Sequence, residues 1–179
     1  SSSSAASDVY KRQGYYTMYN YWGFTDQLPQ VINVLNTGVS RRRTIGAVRY
    51  EAVKINENRY YGIKKINISG ETVYISDKER TLVDYIYKPA ASFGEMSGVV
   101  SGNLDKIDAD KFIRYLIRYP EAAVRKRAGY ILEKSGLQKN LLEKLNKTIK
   151  KNKSYIPLDC FNSSRAGKTD KRWRVIING

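Results

Sequence analysis

The feature of this sequence that most limits its fold is a change of hydrophobic period at Ser76. Before Ser76, short runs of alternating apolar and polar residues are separated by turn-forming residues, which is typical of β-strands. After it, apolar residues recur at three- and four-residue spacing, which is typical of amphipathic helices. The sequence therefore predicts a mixed α/β (α+β) fold: a small, mostly antiparallel N-terminal sheet, then a helical C-terminal half that closes with a terminal strand.

The helix that begins this second half has clear end signals. Its sequence, Ser76 to Pro89, reads SDKERTLVDYIYKP. Ser76 and Glu79 have the spacing of a capping box, and Pro89 ends the helix because the residue before a proline avoids the helical region. Leu82, Val83 and Ile86 predict one apolar stripe, and Arg80 and Asp84, one turn apart, predict a surface ion pair. These roles favour a structural helix over a catalytic strip.

The strand-rich part contains a short helix and several predicted strands. The aromatic segment from Tyr15 is predicted to be a helix that Gly23 ends. Residues 31–35 and 45–55 predict strands, and TGVSRRR between them predicts a loop. Further strand pairs are predicted around the turn Ser69-Gly70.

The C-terminal half is predicted to hold three amphipathic helices after a short one near 96–104. Asp108 is expected to cap a helix over 109–119, a second helix follows from Pro120 to about 135, and a leucine stripe marks a third over 137–149. The final KRWRVIING predicts a strand.

Residues 1–13, SSSSAASDVYKRQ, differ from the rest in composition. They are rich in Ser and Ala and show no hydrophobic period, so we expect a disordered leader that is not native to the protein. The domain predicted to fold spans 14–179.

Charge and composition limit the function classes. The chain has 32 Lys and Arg, 17 Asp and Glu, and no His, which gives a net charge of +15. Without His the commonest general base is missing, and with the single Cys160 a zinc site would need carboxylates almost alone. No bound cofactor or metal is expected. The charge favours a polyanionic partner, most simply DNA, over a merely basic surface.

The single cysteine favours a reducing, cytoplasmic location. The sequence shows no apolar run of membrane-spanning length, so no membrane partner is expected.

Phosphate binding requires several cations on one face. The candidate nucleic-acid-binding residues are the cations in the loop after the first predicted strand, at the end of the last helix and around the final strand: Arg41, Arg42, Arg43, Lys150, Lys151, Lys153, Lys168, Lys171, Arg172 and Arg174. Whether these cations converge stays open at this level. One alternative is a metal-dependent nuclease that uses Asp77, Glu79 and Lys78, although the spacing matches no metal loop; another is a plain nucleic-acid-binding module.

Five ordered landmarks resemble a known family. They read YYTMYNYWGFTDQLPQVINVLN, YYGIKK, VYISDKERTLVDYIYKP, AVRKRAGYILEKSG and YIPLDCFNSSRAGKTDKRWRVIIN. From Tyr15 to Asn178 the chain resembles the abortive-infection AbiEi family, the antitoxins of type IV toxin–antitoxin systems. The residues that carry the motifs, expected to be structural, are Ser76, Asp77, Glu79, Thr81, Leu82, Asp84, Arg127, Gly129, Tyr130 and Trp173.

The resemblance implies a bacterial, cytosolic and non-enzymatic protein of phage defence. Family members have an N-terminal winged helix that represses the antitoxin–toxin operon, and a C-terminal α/β domain that counteracts a nucleotidyltransferase-like toxin. This sequence lacks a winged helix upstream of Tyr15. The resemblance therefore implies an antitoxin domain with weak DNA binding of its own, and a functional rather than a tight physical partnership with the cognate toxin.

Overall fold

A computed structural model of the chain describes residues 11–179. It divides into two compact units, residues 11–84 and 85–179, with the boundary inside a helix. The fold is mixed α/β, as predicted: strands dominate the first unit and helices the second. Residues 1–10 of the predicted leader lie outside the described residues.

The first unit is built on a six-stranded mixed sheet. Its strand order is β3-β4-β2-β1-β6-β5; three neighbouring pairs are antiparallel, and β1–β6 and β2–β4 are parallel. The strands are β1 (Lys11–Gln13), β2 (Ile32–Asn36), β3 (Arg41–Ile45), β4 (Val48–Lys54), β5 (Ile63–Ile68) and β6 (Glu71–Ser76). The predicted turn at Ser69-Gly70 is confirmed, because both residues have the positive φ that a two-residue hairpin requires.

The prediction of a disordered leader is wrong for its last three residues. Lys11–Gln13 form β1, which lies between β2 and β6 in the sheet. Arg12 is 1% exposed, because its guanidinium donates to Ser76 and lies 3.7 Å from the Asp84 carboxylate. The strand was not predicted from the sequence because its buried side chain is an arginine rather than an apolar residue.

Helix α1 (Tyr15–Tyr21) follows β1 and packs on the sheet. The Thr17 hydroxyl accepts from the backbone N–H of Asn33 at 2.8 Å, and Met18 and Tyr19 are buried. The helix ends at Trp22, and Gly23 follows with a φ of 74°, as predicted.

Helix α2 (Lys78–Tyr87) differs from the prediction at its cap and in its ion pair. The cap is Asp77, whose Oδ1 accepts from the backbone N–H of Arg80 at 2.8 Å, whereas Ser76 ends β6. Arg80 and Asp84 do pair, at 2.9 Å, but they are buried rather than on the surface. Their burial escaped prediction because the second arginine on Asp84, Arg12, comes from the presumed leader. The predicted apolar stripe of Leu82, Val83 and Ile86 is confirmed as fully buried.

The second unit holds four helices after the end of α2. They are α3 (Phe93–Asn103), α4 (Ala109–Arg118), α5 (Ala122–Lys134) and α6 (Lys139–Lys147). The Asp108 cap of α4 is confirmed, since its carboxylate accepts from the Lys111 N–H at 3.0 Å. Helix α3 begins earlier than predicted because Ser92 and Glu95 form a capping box.

A three-stranded sheet completes this unit, with the order β7-β9-β8. Its strands are β7 (Ile156–Pro157), β8 (Lys168–Asp170) and β9 (Val175–Ile177). The predicted terminal strand is therefore too long: the segment 171–174 is a turn, and Arg174 has a φ of 54°. Trp173 is fully buried against α5, where a Cβ on Gly129 would lie 2.0 Å from the indole ring. Only glycine permits this close approach.

Candidate nucleic-acid interface

The three consecutive arginines lie on the edge strand β3, not in the predicted loop. The arginine hairpin (residues 41–54) consists of β3 and β4, and every residue of β3 is exposed. Gly46, with a φ of 62°, lies in the two-residue connection that lets Ile45 pair with Val48. The loop prediction failed because no residue of β3 is buried, so this strand shows no alternation of apolar and polar residues.

Strand geometry separates these arginines onto two faces of the sheet. Arg42 pairs with Glu51 across the hairpin, with its Nε and Nη2 both 3.4 Å from Oε1. Arg41 and Arg43 lie on the other face, where with Lys11 and Tyr50 they line a shallow depression of about 320 Å³. Two of the three arginines therefore share a cationic surface.

The second group of cations follows α6. The lysine loop (residues 147–153) exposes Lys147, Lys150, Lys151 and Lys153. Among residues 11–179, no carboxylate forms an ion pair with any of these four lysines. From Lys144 to Leu158 the chain itself has no acid, so nothing local neutralises the loop.

Arg174 holds the lysine loop from within the unit. Its Nη1 lies 3.0 Å from the carbonyl oxygen of Ile149, 2.9 Å from that of Lys150 and 2.6 Å from that of Asn152. The three carbonyl groups thus point towards one guanidinium, which fixes the backbone that carries the exposed lysines. Arg174, a candidate for nucleic-acid contact in the sequence, is placed in an internal role.

Lys126 holds the end of the same loop. It is 0% exposed, and its Nζ donates to the Asn152 side chain at 2.9 Å and to the Ser154 carbonyl oxygen. Burial lowers the pKa of the Lys126 ammonium below its ordinary value, and the nearby charges of Arg174 and Arg125 lower it further. A loop that exposes lysines is thus held by two more cations, Lys126 and Arg174, and the Arg174 charge disfavours the charged form of Lys126.

Arg172 also forms ion pairs within its own unit. Its guanidinium pairs with Glu133 and, at 2.6 Å, with Glu143, while the Trp173 indole N–H donates to Glu133 at 3.0 Å. Lys168 and Lys171 are exposed, in β8 and in the turn after it. The arginine hairpin lies in the first unit and the remaining candidate cations in the second.

The family-motif residues hold the structure together. Asp84 lies between Arg80 and Arg12, and burial lowers the pKa of the Arg12 guanidinium while the Asp84 charge opposes that shift. Thr81 donates to the Asp77 carbonyl oxygen at 2.7 Å, and Arg127 Nε donates to that of Pro157 at 3.1 Å. The half-buried Tyr130 ring lies 6.4 Å from that of Phe93.

Sequence reasoning missed Arg12, Lys126 and the side chains that Lys126 binds. Arg12 sat in a segment excluded on composition, and Lys126 was one of many helix-borne cations. The only available signal for Lys126 was its place between Val124 and Ala128, on the apolar side of α5.

The part of the chain that the structure describes offers neither a cluster of metal ligands nor a membrane-spanning helix. Between Lys11 and Gly179, no group of three or more Asp, Glu and Cys side chains is arranged to hold a metal ion. None of the helices in this part of the chain combines the length and the apolar character needed to cross a bilayer.

Comparison with known proteins gives a likeness of fold alone. Neither a protein-family model nor a curated protein matches the sequence. The crystal structure of the Rv2827c protein from Mycobacterium tuberculosis superposes with a TM-score of 0.58 at 12% identity, over 93% of this chain. This chain spans 61% of the length of that one.

Proposed function

We propose that this chain is a non-enzymatic, nucleic-acid-binding antitoxin domain of a type IV toxin–antitoxin system. It acts in the bacterial cytoplasm, counteracts a nucleotidyltransferase-like toxin and needs no cofactor. In a full-length protein with a winged helix it contributes cationic surface to the DNA binding that represses the operon. DNA binding by this chain alone is weak and depends mainly on phosphate contacts.

The observation that carries the proposal is the way the lysine loop is held. Burying the Lys126 ammonium costs stability, since it loses its hydration and the charges of Arg174 and Arg125 lie close to it. Neutral donors, such as amide side chains, would satisfy the same carbonyl oxygens without adding positive charge. Retaining Lys126 and Arg174 under Lys150, Lys151 and Lys153 makes sense if the loop must present positive charge in a fixed arrangement.

The motif residues support a role without bond-making chemistry. Asp77 uses its carboxylate to cap α2, and Asp84 lies between two arginines inside the first unit. Both carboxylates are buried, and Asp84 is also paired with arginines, so neither is open to a substrate. The resemblance of these motifs to antitoxins supports the antitoxin role.

Co-expression with the cognate toxin tests the proposal. We expect the full 179-residue chain to restore growth of bacteria that express the toxin. The triple variant Lys150→Gln, Lys151→Gln, Lys153→Gln should restore growth poorly at equal protein level. The matched control, Lys106→Gln, Lys134→Gln, Lys139→Gln, changes three exposed lysines elsewhere in the second unit and should restore growth fully.

A cleavage assay provides the opposing outcome. Incubation of the purified chain with single-stranded and duplex DNA and RNA, in magnesium or manganese, should leave the nucleic acids intact. Metal-dependent cleavage that Asp77→Asn abolishes would replace the antitoxin proposal with a nuclease. Equal growth rescue by the unmodified chain and by both triple variants would show that the lysine loop takes no part in the mechanism.

A further inference from the structure

The segment between β7 and β8 exposes an aromatic side chain on an ordered loop. This Phe161 loop (residues 158–167) is exposed from Cys160 onwards, and Phe161 itself is 67% exposed. Most of the apolar ring surface therefore remains in contact with water.

The loop is fixed by its contacts with the C-terminal segment. The Asn178 side chain donates to the carbonyl oxygens of Asn162, at 2.8 Å, and Ser164, at 3.2 Å, and accepts from the Asp159 N–H at 3.0 Å. Asn162 returns a bond to the Asn178 carbonyl oxygen at 2.8 Å. These bonds hold the backbone on both sides of Phe161.

The far end of the loop is fixed as well. Gly167 has a φ of 153°, and a Cβ there would lie 2.2 Å from the Ile177 carbonyl oxygen, so the loop approaches β9 as closely as only glycine allows. Arg165 Nη2 donates to the Tyr155 carbonyl oxygen at 2.6 Å. The ring of Phe161 is therefore presented by a preorganised loop, which lowers the entropy cost of binding.

The charges around the loop select the kind of partner. The Asp159 carboxylate accepts from the Phe161 N–H at 2.9 Å, and Asp170 accepts from the Trp173 N–H at 2.8 Å; both acids are half-buried. Arg165, Lys168 and Lys171 are exposed. Asp159 and Asp170 each use one carboxylate oxygen within the fold, whereas Lys168 and Lys171 have no carboxylate partner among the described residues. The surface therefore suits an anionic partner that also offers a flat apolar group.

We propose that the Phe161 loop binds single-stranded nucleic acid by stacking an unpaired base on the Phe161 ring, with phosphates held by Lys168 and Lys171. Every base has an apolar π-face, so stacking needs no sequence preference, whereas the bases of an intact duplex are already stacked. The inference rests on the proposed nucleic-acid binding and adds to it a preference for unpaired over duplex strands.

The test compares two probes and three variants of the full chain. The probes are a fluorescein-labelled oligodeoxythymidine of 12 nucleotides and a 12-base-pair duplex, and the readout is fluorescence anisotropy. Phe161→Leu removes the aromatic face and keeps an apolar side chain, Phe161→Tyr keeps the face, and Leu28→Ala is the control at another exposed apolar residue. Stacking is worth a 5- to 150-fold change in affinity, at about 1–3 kcal/mol per base.

We expect Phe161→Leu to weaken binding of the single strand about 10-fold or more and to leave duplex binding unchanged. Phe161→Tyr and Leu28→Ala should match the unmodified chain on both probes. A 2-aminopurine base placed in the single strand should lose fluorescence on binding, and less so with Phe161→Leu.

Other results overturn the inference and identify which proposal failed. If the unmodified chain binds both probes and Phe161→Leu binds them equally well, the stacking inference is wrong and the proposed function stands. If neither probe binds the unmodified chain, the nucleic-acid part of the proposed function fails too. If polyglutamate binds as tightly as the single strand and Phe161→Leu weakens both alike, the loop binds acidic polypeptide instead.

Discussion

The arginine hairpin and the lysine loop both expose runs of cations, but they are supported in opposite ways. The hairpin lies at the edge of the six-stranded sheet, and its Arg42 forms an ion pair with Glu51. The lysine loop has no such partner among the described residues, and internal cations hold it in place.

The difference shows how to separate structural from functional charge. Charged side chains on an edge strand also prevent unwanted pairing with other strands, so the hairpin arginines have a purpose without any partner. Lys147 ends α6, where a cation interacts favourably with the helix dipole, but Lys150, Lys151 and Lys153 lie beyond the helix. The loop is therefore the stronger candidate for binding a polyanion, even though three adjacent arginines are the more conspicuous sequence feature.

The largest expected effect is on stability and comes from Arg174→Met. This substitution removes three hydrogen bonds from a charged donor to the carbonyl groups of the lysine loop. We expect the free energy of unfolding to fall by about 2–4 kcal/mol, measured by urea denaturation. Lys171→Met, an exposed neighbour, should change it by no more than about 0.5 kcal/mol. Equal effects of the two variants would mean that Arg174 does not hold the loop.

The contrast between the two regions also shows which parts of the structure could be predicted from the sequence. The change of period at Ser76, the Asp108 cap and the Ser69-Gly70 turn have local causes, and each is found in the structure. The burial of the Arg80–Asp84 pair and the internal roles of Arg172 and Arg174 depend on contacts between residues 22 to 72 positions apart in the chain. Local patterns carry no information on the distant partners.

Arg12 shows this limit most clearly. Composition indicated a leader through residue 13, but Arg12 contacts Ser76 and Asp84, which lie 64 or more residues further along. The side chains of the lysine loop were found from sequence because consecutive exposed lysines are visible there. The supporting roles of Lys126 and Arg174 were not predicted, because these residues come from α5 and from the turn before β9.

The second-largest expected effect on stability, that of Lys126→Met, is smaller than that of Arg174→Met and depends on pH. Lys126→Met leaves the Asn152 side chain and the Ser154 carbonyl group without their donor, and we expect a loss of about 1–3 kcal/mol. Because burial lowers the pKa of Lys126 in the folded state, the unfolded state binds more protons between that lowered pKa and 10.5. The stability of the unmodified chain relative to the variant should therefore rise with pH through this window.

Urea denaturation of both proteins at several pH values measures that difference. A difference that falls as the pH approaches 10.5 would contradict the assignment of a buried, charge-disfavoured Lys126.

The smallest stability effect is expected in the hairpin. Arg42→Gln removes one exposed ion pair with Glu51, and such pairs contribute about 0–1 kcal/mol. We expect the free energy of unfolding to change by an amount near the lower end of this range, because the Arg42 side chain is 87% exposed. Glu51→Gln should have an equally small effect. A loss above 2 kcal/mol in either variant would show that the hairpin charges are as structurally engaged as Arg174, which would remove the contrast between the two regions.

The most direct measurement of the central claim is the salt dependence of duplex DNA binding. Each phosphate neutralised should contribute about −0.9 to the slope of log K against log salt. The Lys150→Gln, Lys151→Gln, Lys153→Gln variant should therefore have a slope shallower by roughly 2.7, if all three lysines bind phosphate, and the Lys106→Gln, Lys134→Gln, Lys139→Gln control should keep the original slope. A flat slope for the unmodified chain, or equal slopes for the two triple variants, would contradict the claim that this loop binds nucleic acid.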